Sequence, residues 1–259
     1  MRFKDQAVIV TGAGYGIGKQ IALAFGREGA HVVLAARSTE KMEGVAEELR
    51  GMGTRPVVFP LDVRFEDQVK GLVDKTLAEF GKVDVLVNNA GIAGPTKLAR
   101  DISGEEWIES MDVNLNGAFY CAKYVSTPMI EAKRGNIVNI GSVASRIGYP
   151  LRTPYAASKW GMVGLSHSLA AELGPYGIRV NAILPGPIRG ERFDRVVAAR
   201  AEAEGKNFEE QMEEYTGMVP LRRLVGEDEV ADTVTYIASD GASGVTGQAF
   251  TVCGGFRMQ

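Results

Sequence analysis

The chain has little cysteine, little histidine and no dominant sign of charge, and each shortage removes a class of protein. Its two cysteines, Cys121 and Cys253, stand far apart among 259 residues. They offer neither a disulfide framework nor a metal-type spacing, and such scarcity suits a reducing compartment. The two histidines do not cluster: His31 opens an apolar run and His167 lies in a helical stretch. Both read as structural, and no metal is expected. Lys and Arg number 29 against 32 Asp and Glu, a net charge of −3, which argues against nucleic acid as a partner. No uninterrupted apolar run reaches bilayer length, and the opening MRFKDQAVIV lacks the apolar core of a signal peptide. The expectation is a cytoplasmic protein with no membrane partner.

What is present is an ordinary globular composition, 45% hydrophobic and 24% charged. Short apolar runs at 7–11, 31–35, 56–61, 83–88, 136–140, 178–184 and 248–252 read as strands. Amphipathic stretches near 16–28, 39–51, 65–80, 105–131 and 154–174 read as helices. Nearly continuous apolar strands alternating with helices predict a parallel sheet covered on both faces, and right-handed crossovers make it doubly wound. The predicted fold class is α/β, a Rossmann-like doubly wound sheet in three layers, with residues 1–259 forming one domain for cofactor and substrate. Residues 187–218 break the rhythm, being highly charged from Arg189 onward. They are expected to form one or two short helices above the carboxyl edge of the sheet, where ligands bind, and to act as a substrate lid.

The first strand runs into Thr11-Gly12-Ala13-Gly14-Tyr15-Gly16-Ile17-Gly18 and then a helix. Glycine permits positive φ and close approach of backbone to ligand. The helix start then offers free N–H groups and the positive end of its dipole to a pyrophosphate. A position between strand and helix is the context such a motif requires. The spacing Gly12-x-x-x-Gly16-x-Gly18, with Asn88-Asn89-Ala90-Gly91 after the fourth strand and Tyr155-x-x-x-Lys159 later, resembles the short-chain dehydrogenase/reductase family. The resemblance runs from Val8 to Gly255. It implies an oxidoreductase that passes a hydride between a nicotinamide dinucleotide and an alcohol or carbonyl. It further implies cofactor contacts from Gly12, Tyr15, Gly16, Ile17, Gly18, Asn89, Gly91, Tyr155, Lys159, Pro185, Gly186 and Ile188, with Asp62 and Val63 against the adenine. Where relatives often carry a threonine two residues after Ile188, this chain has Gly190.

In dinucleotide folds an acid after the second strand accepts the 2′-hydroxyl of NAD, whereas arginine accommodates the 2′-phosphate of NADP. Here the strand ends Leu34-Ala35-Ala36-Arg37-Ser38. With Arg37 and Ser38 present and no carboxylate, NADP(H) is favoured and NAD(H) is the alternative. Tyr15 stands where many NADP-using relatives carry a second basic residue.

Hydride transfer to a carbonyl leaves negative charge on oxygen, so the site needs a proton donor and charge stabilisation. A tyrosine serves only if its pKa falls far below roughly 10; a fall to about 7 corresponds to roughly 4 kcal/mol. Lys159, one helical turn beyond Tyr155 on the same face, is the obvious source of the positive charge required. The resemblance implies that Ser142 bonds the substrate oxygen and Tyr155 exchanges the proton. It assigns Lys159 to lowering the tyrosine pKa and bonding the ribose, and Asn114 to positioning a lysine-linked water.

Arg146 and Arg152 flank the loop between Ser142 and Tyr155, and Arg189, Arg192 and Arg195 gather where the charged excursion begins. Guanidinium groups suit carboxylate and phosphate. The expected substrate, touched by Ser142, Arg146, Arg152, Tyr155, Arg189 and Arg192, is small and polar, either neutral or anionic, such as a sugar, polyol or hydroxy/oxo acid. A 3-oxoacyl thioester is the alternative, and a xenobiotic or secondary-metabolite ketone is a third. A non-catalytic NADP-binding sensor or scaffold is disfavoured because both Tyr155 and Lys159 are present. The resemblance also implies a homotetramer, built on the helices around 105–131 and 154–174 and on the tail Gly254-Gly255-Phe256-Arg257-Met258-Gln259.

Overall fold

The computed structural model describes residues 1–256, so Arg257, Met258 and Gln259 of the expected tail contact lie outside the described residues. Seven strands form one sheet: β1 (Ala7–Thr11), β2 (His31–Ala36), β3 (Val57–Pro60), β4 (Val85–Asn88), β5 (Gly135–Ile140), β6 (Ile178–Pro185) and β7 (Ala249–Val252). Their order is β3-β2-β1-β4-β5-β6-β7, and every neighbouring pair is parallel. The winding reverses between β1 and β4, which opens a crevice at their carboxyl ends.

The alternation of side chains divides the core in two. Val8 and Val10 of β1 pack with Leu34, Val85 and Val87 beneath α1 (Gly16–Arg27), α2 (Thr39–Gly51) and α9 (Glu227–Ala238). Ile9 faces the other way, with Val33, Leu86 and Ile137, against α3 (Glu66–Phe80), α5 (Gly117–Ala132) and α6 (Thr153–Leu173). Each such branched side chain contributes about 1.5–3 kcal/mol on full burial. β1 is buried at every residue, which is why its sequence shows no polar alternation. His31 is structural as expected, its Nδ1 accepting from the Arg55 amide at 3.2 Å and its ring stacked on Phe80.

Two elements near the site depart from the predicted ones, the helix expected over 105–131 and α9, while the charged excursion between them forms its short helices as expected. The stretch read as one helix over 105–131 is α4 (Gly104–Met111), a π-helical turn (Asp112–Asn116) and then α5. Such widened turns are often found at functional sites, and this one carries Asn114. The charged excursion forms two helices, α7 (Glu191–Glu204) and α8 (Phe208–Gly217). Gly205 ends α7 at φ 69°, and Asn207 caps α8 through the Glu210 amide at 2.8 Å. Helix α9 is outside the predicted set. Its glutamate at the third position, Glu229, bonds back to the Gly226 amide at 2.8 Å. Among the described residues no helix is long and apolar enough to cross a membrane.

Candidate active site

The carboxyl ends of β1, β4, β5 and β6 open on one cleft of about 490 Å³, bordered by α7, α8 and the start of α9. At its floor lies the glycine turn. Gly12 and Gly16 adopt φ of 67° and 60°, a region side chains disfavour. A Cβ on Gly18 would stand well under 3.0 Å from the Gly12 carbonyl oxygen and from Asn89 Nδ2. Asn89 Nδ2 donates to the carbonyls of Thr11 and Gly12 at 3.0 and 3.2 Å, latching the β1 turn to the end of β4. Gly18 is therefore demanded by protein packing as well as by any ligand. Helix α1 begins with no acid in its first turn and no side-chain cap, and Gly16, Ile17 and Gly18 line the cleft. Free N–H groups there fit a pyrophosphate. Pro185, Gly186 and Ile188 form the opposite lip.

The predicted adenine-end residues lie outside this deep cleft. Arg37 and Ser38 are exposed beyond β2. Asp62 is forked by Arg64, with Nη2 at 2.6 Å and Nε at 3.0 Å. Those bonds, with weaker attraction to Arg37, hold its carboxyl below the usual range despite partial burial. Val63 is buried against α5, where a Cβ on Gly117 would come within 2.6 Å of its Cβ. Lys41 of α2, which motif reasoning passes over, does line the cleft, with Nζ 5.0 Å from the centre of the Tyr15 ring.

Tyr155 and Lys159 project from consecutive turns of α6 into the same cleft. Lys159 is buried, and its Nζ donates to the Ile140 carbonyl at the end of β5, 2.7 Å away. Burial lowers its ammonium pKa to about 8, helped by repulsion from Arg192 and opposed by Tyr155. For Tyr155, burial pushes the phenol up. Attraction to Lys159, then to Arg192, a hydrogen bond with Ser142 and attraction to Arg152 outweigh it, and the phenol sits below its ordinary value. Ser142 lies two residues beyond the end of β5, its Oγ also accepting from the Ala144 amide at 3.2 Å. Asn114 Oδ1 accepts from the Ile92 amide at 2.7 Å, while its Nδ2 donates to the Ile92 carbonyl at 3.2 Å and to Ser158 Oγ at 3.1 Å. A Cβ on Gly91 would lie 3.0 Å from Asn114 Oδ1 and 3.7 Å from Lys159 Nζ, so this glycine keeps open the space between them.

The predicted substrate arginines divide. Arg152 is only 4% exposed. Its Nη2 donates to the Ala93 carbonyl at 2.6 Å, and its guanidinium lies 5.0 Å from the Tyr155 ring centre and 5.5 Å from that of Tyr149. Its Nε is buried with no hydrogen-bond partner. Arg192 of α7 reaches the Gly91 carbonyl at 3.2 Å. Both line the cleft. Arg146 is exposed and tied to the Ala249 carbonyl at 2.8 Å, and Arg189 is exposed outside the cleft. These two do not join the group, because the loop and lid turn their side chains outward. Arg195 instead borders a smaller adjoining cavity shared with Arg152 and Arg192. The sequence reading also omitted an aromatic wall of Tyr149, Phe193, Tyr215 and Phe256, in which Phe193 meets Tyr215 edge-on at 5.1 Å.

Glu227, at the start of α9, closes the cleft beside the glycine turn. Its Oε1 lies 3.3 Å from where a Gly16 Cβ would be and 2.7 Å from where a Gly190 Cβ would be. The carboxyl thus takes up the space beside Gly190 in which a threonine side chain would begin.

The family profile described as enoyl-(acyl carrier protein) reductase matches residues 12–257. The chain is 37% identical over 254 residues to 3-oxoacyl-(acyl-carrier-protein) reductase FabG of Staphylococcus aureus, covering 98% of each chain. Actinorhodin polyketide ketoreductase, solved with NADPH, superimposes with a TM-score of 0.94 at 37% identity, over 98% of each chain. NAD+-bound xylitol dehydrogenase does so with a TM-score of 0.96 at 32% identity, over 98% of this chain and all of that one. With its glycine turn, its Tyr155/Lys159 helix and these likenesses along its whole length, the chain belongs to the short-chain dehydrogenase/reductase family.

Proposed function

We propose that the protein is an NADP(H)-preferring oxidoreductase that interconverts a secondary alcohol and a ketone, with Tyr155 as the acid/base. The observation that carries this is the phenol of Tyr155, held below its ordinary value among Lys159, Arg192 and Ser142 at the rim of a phosphate-fitting glycine turn. A bound nicotinamide supplies or accepts the hydride. The chain's residues do the rest. Ser142 and Tyr155 donate hydrogen bonds to the carbonyl oxygen, and Tyr155 hands its proton to that oxygen as negative charge develops. Lys159 and the two arginines stabilise the phenolate left behind. Fresh protons reach Tyr155 through Lys159 and the space kept open by Gly91 beside Asn114.

The preference for NADP(H) is supported by Arg37, preceded at the end of β2 by Ala36 in place of an acid, and by Lys41, a second cation lining the cleft. A 3-oxoacyl thioester is the substrate class supported by the 3-oxoacyl-(acyl-carrier-protein) reductases among the relatives. A second reading, a small anionic ketone or hydroxy acid, is favoured by Arg152 and Arg192. Two guanidinium groups flank Tyr155, and no carboxylate pairs with either among the described residues. A buried cation left unpaired costs several kcal/mol, which a substrate carboxylate would relieve. Exposed Trp107, Ile108, Phe119 and Trp160 on α4 to α6 support a homotetramer, and a cytoplasmic setting suits the two unpaired cysteines.

The test is NADPH oxidation with acetoacetyl-CoA and with free acetoacetate, each with Arg152→Gln and Arg192→Gln. Under the thioester reading, the thioester is the better substrate and its KM is unchanged in both variants, whatever each loses in kcat through the Tyr155 phenolate. Under the anionic reading, free acetoacetate is preferred and each variant raises its KM about tenfold or more, the worth of one charge-assisted bond. No NADPH oxidation with either, or with a wider ketone panel, would sink the proposal.

A further inference from the structure

The carboxyl of Glu227 lines the cleft, and the proposed chemistry does not use it. We infer that Glu227 is a proton-linked selector of cofactor binding: the dinucleotide binds the form of the protein in which this carboxyl is protonated, taking up one proton from solvent as it does so. The inference rests on the cofactor reading above.

Placement comes first. Glu227 Oε1 stands against both Gly16 and Gly190, 3.3 and 2.7 Å from their would-be Cβ positions. It therefore bridges the phosphate-cradling turn and the loop after β6, the two segments between which a pyrophosphate at the start of α1 must lie. The second observation is the lack of a counter-charge. Among the described residues the Glu227 carboxyl has no hydrogen-bond or ion-pair partner. The charged groups that bear on it are acids, Asp228 on its own helix and Glu191 at the start of α7. No cation on the surrounding elements pairs with it among the described residues. Lys19 of α1 pairs with Glu48 at 2.8 Å, and Arg223 pairs with Glu229 at 2.6 Å. Lys41 lies over Tyr15, Arg192 reaches the Gly91 carbonyl, and Arg189 is exposed.

Electrostatics then fixes the direction. Burial, followed by repulsion from Asp228 and Glu191, already holds the Glu227 carboxyl above its usual range. A pyrophosphate beside it adds two negative charges and raises it further. A group whose pKa rises on binding takes up a proton, so affinity is full below its free-protein pKa and falls as pH rises above it. The protonated carboxyl also gains an O–H donor for a phosphate oxygen, whereas the carboxylate has none.

Isothermal titration of the full-length protein with NAD+ measures this directly, in buffers of differing ionisation enthalpy between pH 5.5 and 8.5. NAD+ is chosen because it lacks the 2′-phosphate, whose own proton leaves near pH 6. NADP+ serves as a second titrant if NAD+ binds too weakly. Wild type should take up close to one proton on binding at the upper end of the range, with Kd rising by up to about tenfold per pH unit there. Glu227→Gln should bind at least about tenfold more tightly at pH 8, with the proton uptake and the pH slope abolished. The wild-type buffer series stands alone if the variant fails to fold. Equal uptake and equal Kd in both proteins, or wild-type binding without proton uptake, would overturn the inference and leave the cofactor assignment intact. Weaker binding by Glu227→Gln would overturn it too, making the carboxylate an acceptor for a cofactor donor. Failure of wild type to bind either dinucleotide would overturn both.

Discussion

Gly18→Ala separates a glycine kept for the ligand from one kept by the protein. The added methyl would meet the Gly12 carbonyl and the Asn89 amide nitrogen inside van der Waals range. Neither can yield cheaply, because the first is backbone in a turn at φ 67° and the second is held by two hydrogen bonds. Overpacking of this kind costs about 1–3 kcal/mol. Displacing Asn89 forfeits two hydrogen bonds of about 1 kcal/mol each. Replacing glycine by alanine within α1 returns about 1 kcal/mol. The net loss is about 2–4 kcal/mol, or roughly 5–15 °C in Tm for a chain of this size. Thermal unfolding of the ligand-free protein, followed by circular dichroism, is the assay. Gly44→Ala is the control: nothing lies within 4 Å of its would-be Cβ, and it should gain up to about 1 kcal/mol. A Gly18→Ala protein as stable as wild type without ligand would refute the steric reasoning, whatever its cofactor affinity.

Other outcomes follow from the same contacts. Arg37→Ala should weaken NADP+ binding roughly tenfold more than NAD+ binding, the discounted worth of one exposed charge-assisted contact; equal losses in fluorescence titrations would remove Arg37 from cofactor choice. Cys121 is buried with its thiol pushed up to about 12, and Cys253 is buried as well. Both should therefore resist a thiol reagent until the chain unfolds, and prompt labelling of the native protein would contradict the packing. Because the Tyr155 phenol lies below its ordinary value, alcohol oxidation, which needs the phenolate, should rise with pH and level off below pH 10. Ketone reduction, which needs the phenol, should fall over the same interval. In Lys159→Met both changes should move to higher pH.

The sheet was legible because its strands carry short apolar runs bounded by turns, so β1 to β7 differ from the predicted runs only at their ends. The π-helical turn at Asp112–Asn116 was not, since one widened turn leaves the helical periodicity of its flanks intact. Helix α9 carried a readable signal in Gly226 and Glu229, followed by buried Val230, Val234 and Ile237 at helical spacing. Tyr155 and Lys159 could be named from their helical spacing together with the family resemblance, and Ser142 from the resemblance alone. The arginines could not be sorted so. Arg146 and Arg152 sit on one loop with equal claims, and only the fold turns the first to the Ala249 carbonyl and the second beneath Tyr155. Lys41 and Glu227 reach the cleft from helices remote in sequence from its motifs, a juxtaposition that no local pattern records.

We propose that Tyr155 exchanges the proton while the glycine turn at the start of α1 holds the pyrophosphate. Tyr155→Phe, assayed for turnover and for NADPH binding on the same preparation, tests it most directly. In this variant kcat should fall by a factor on the order of 100–10,000, the usual worth of an acid/base group, while Kd for NADPH changes less than about threefold. A variant that retains turnover within a few-fold of wild type would contradict it.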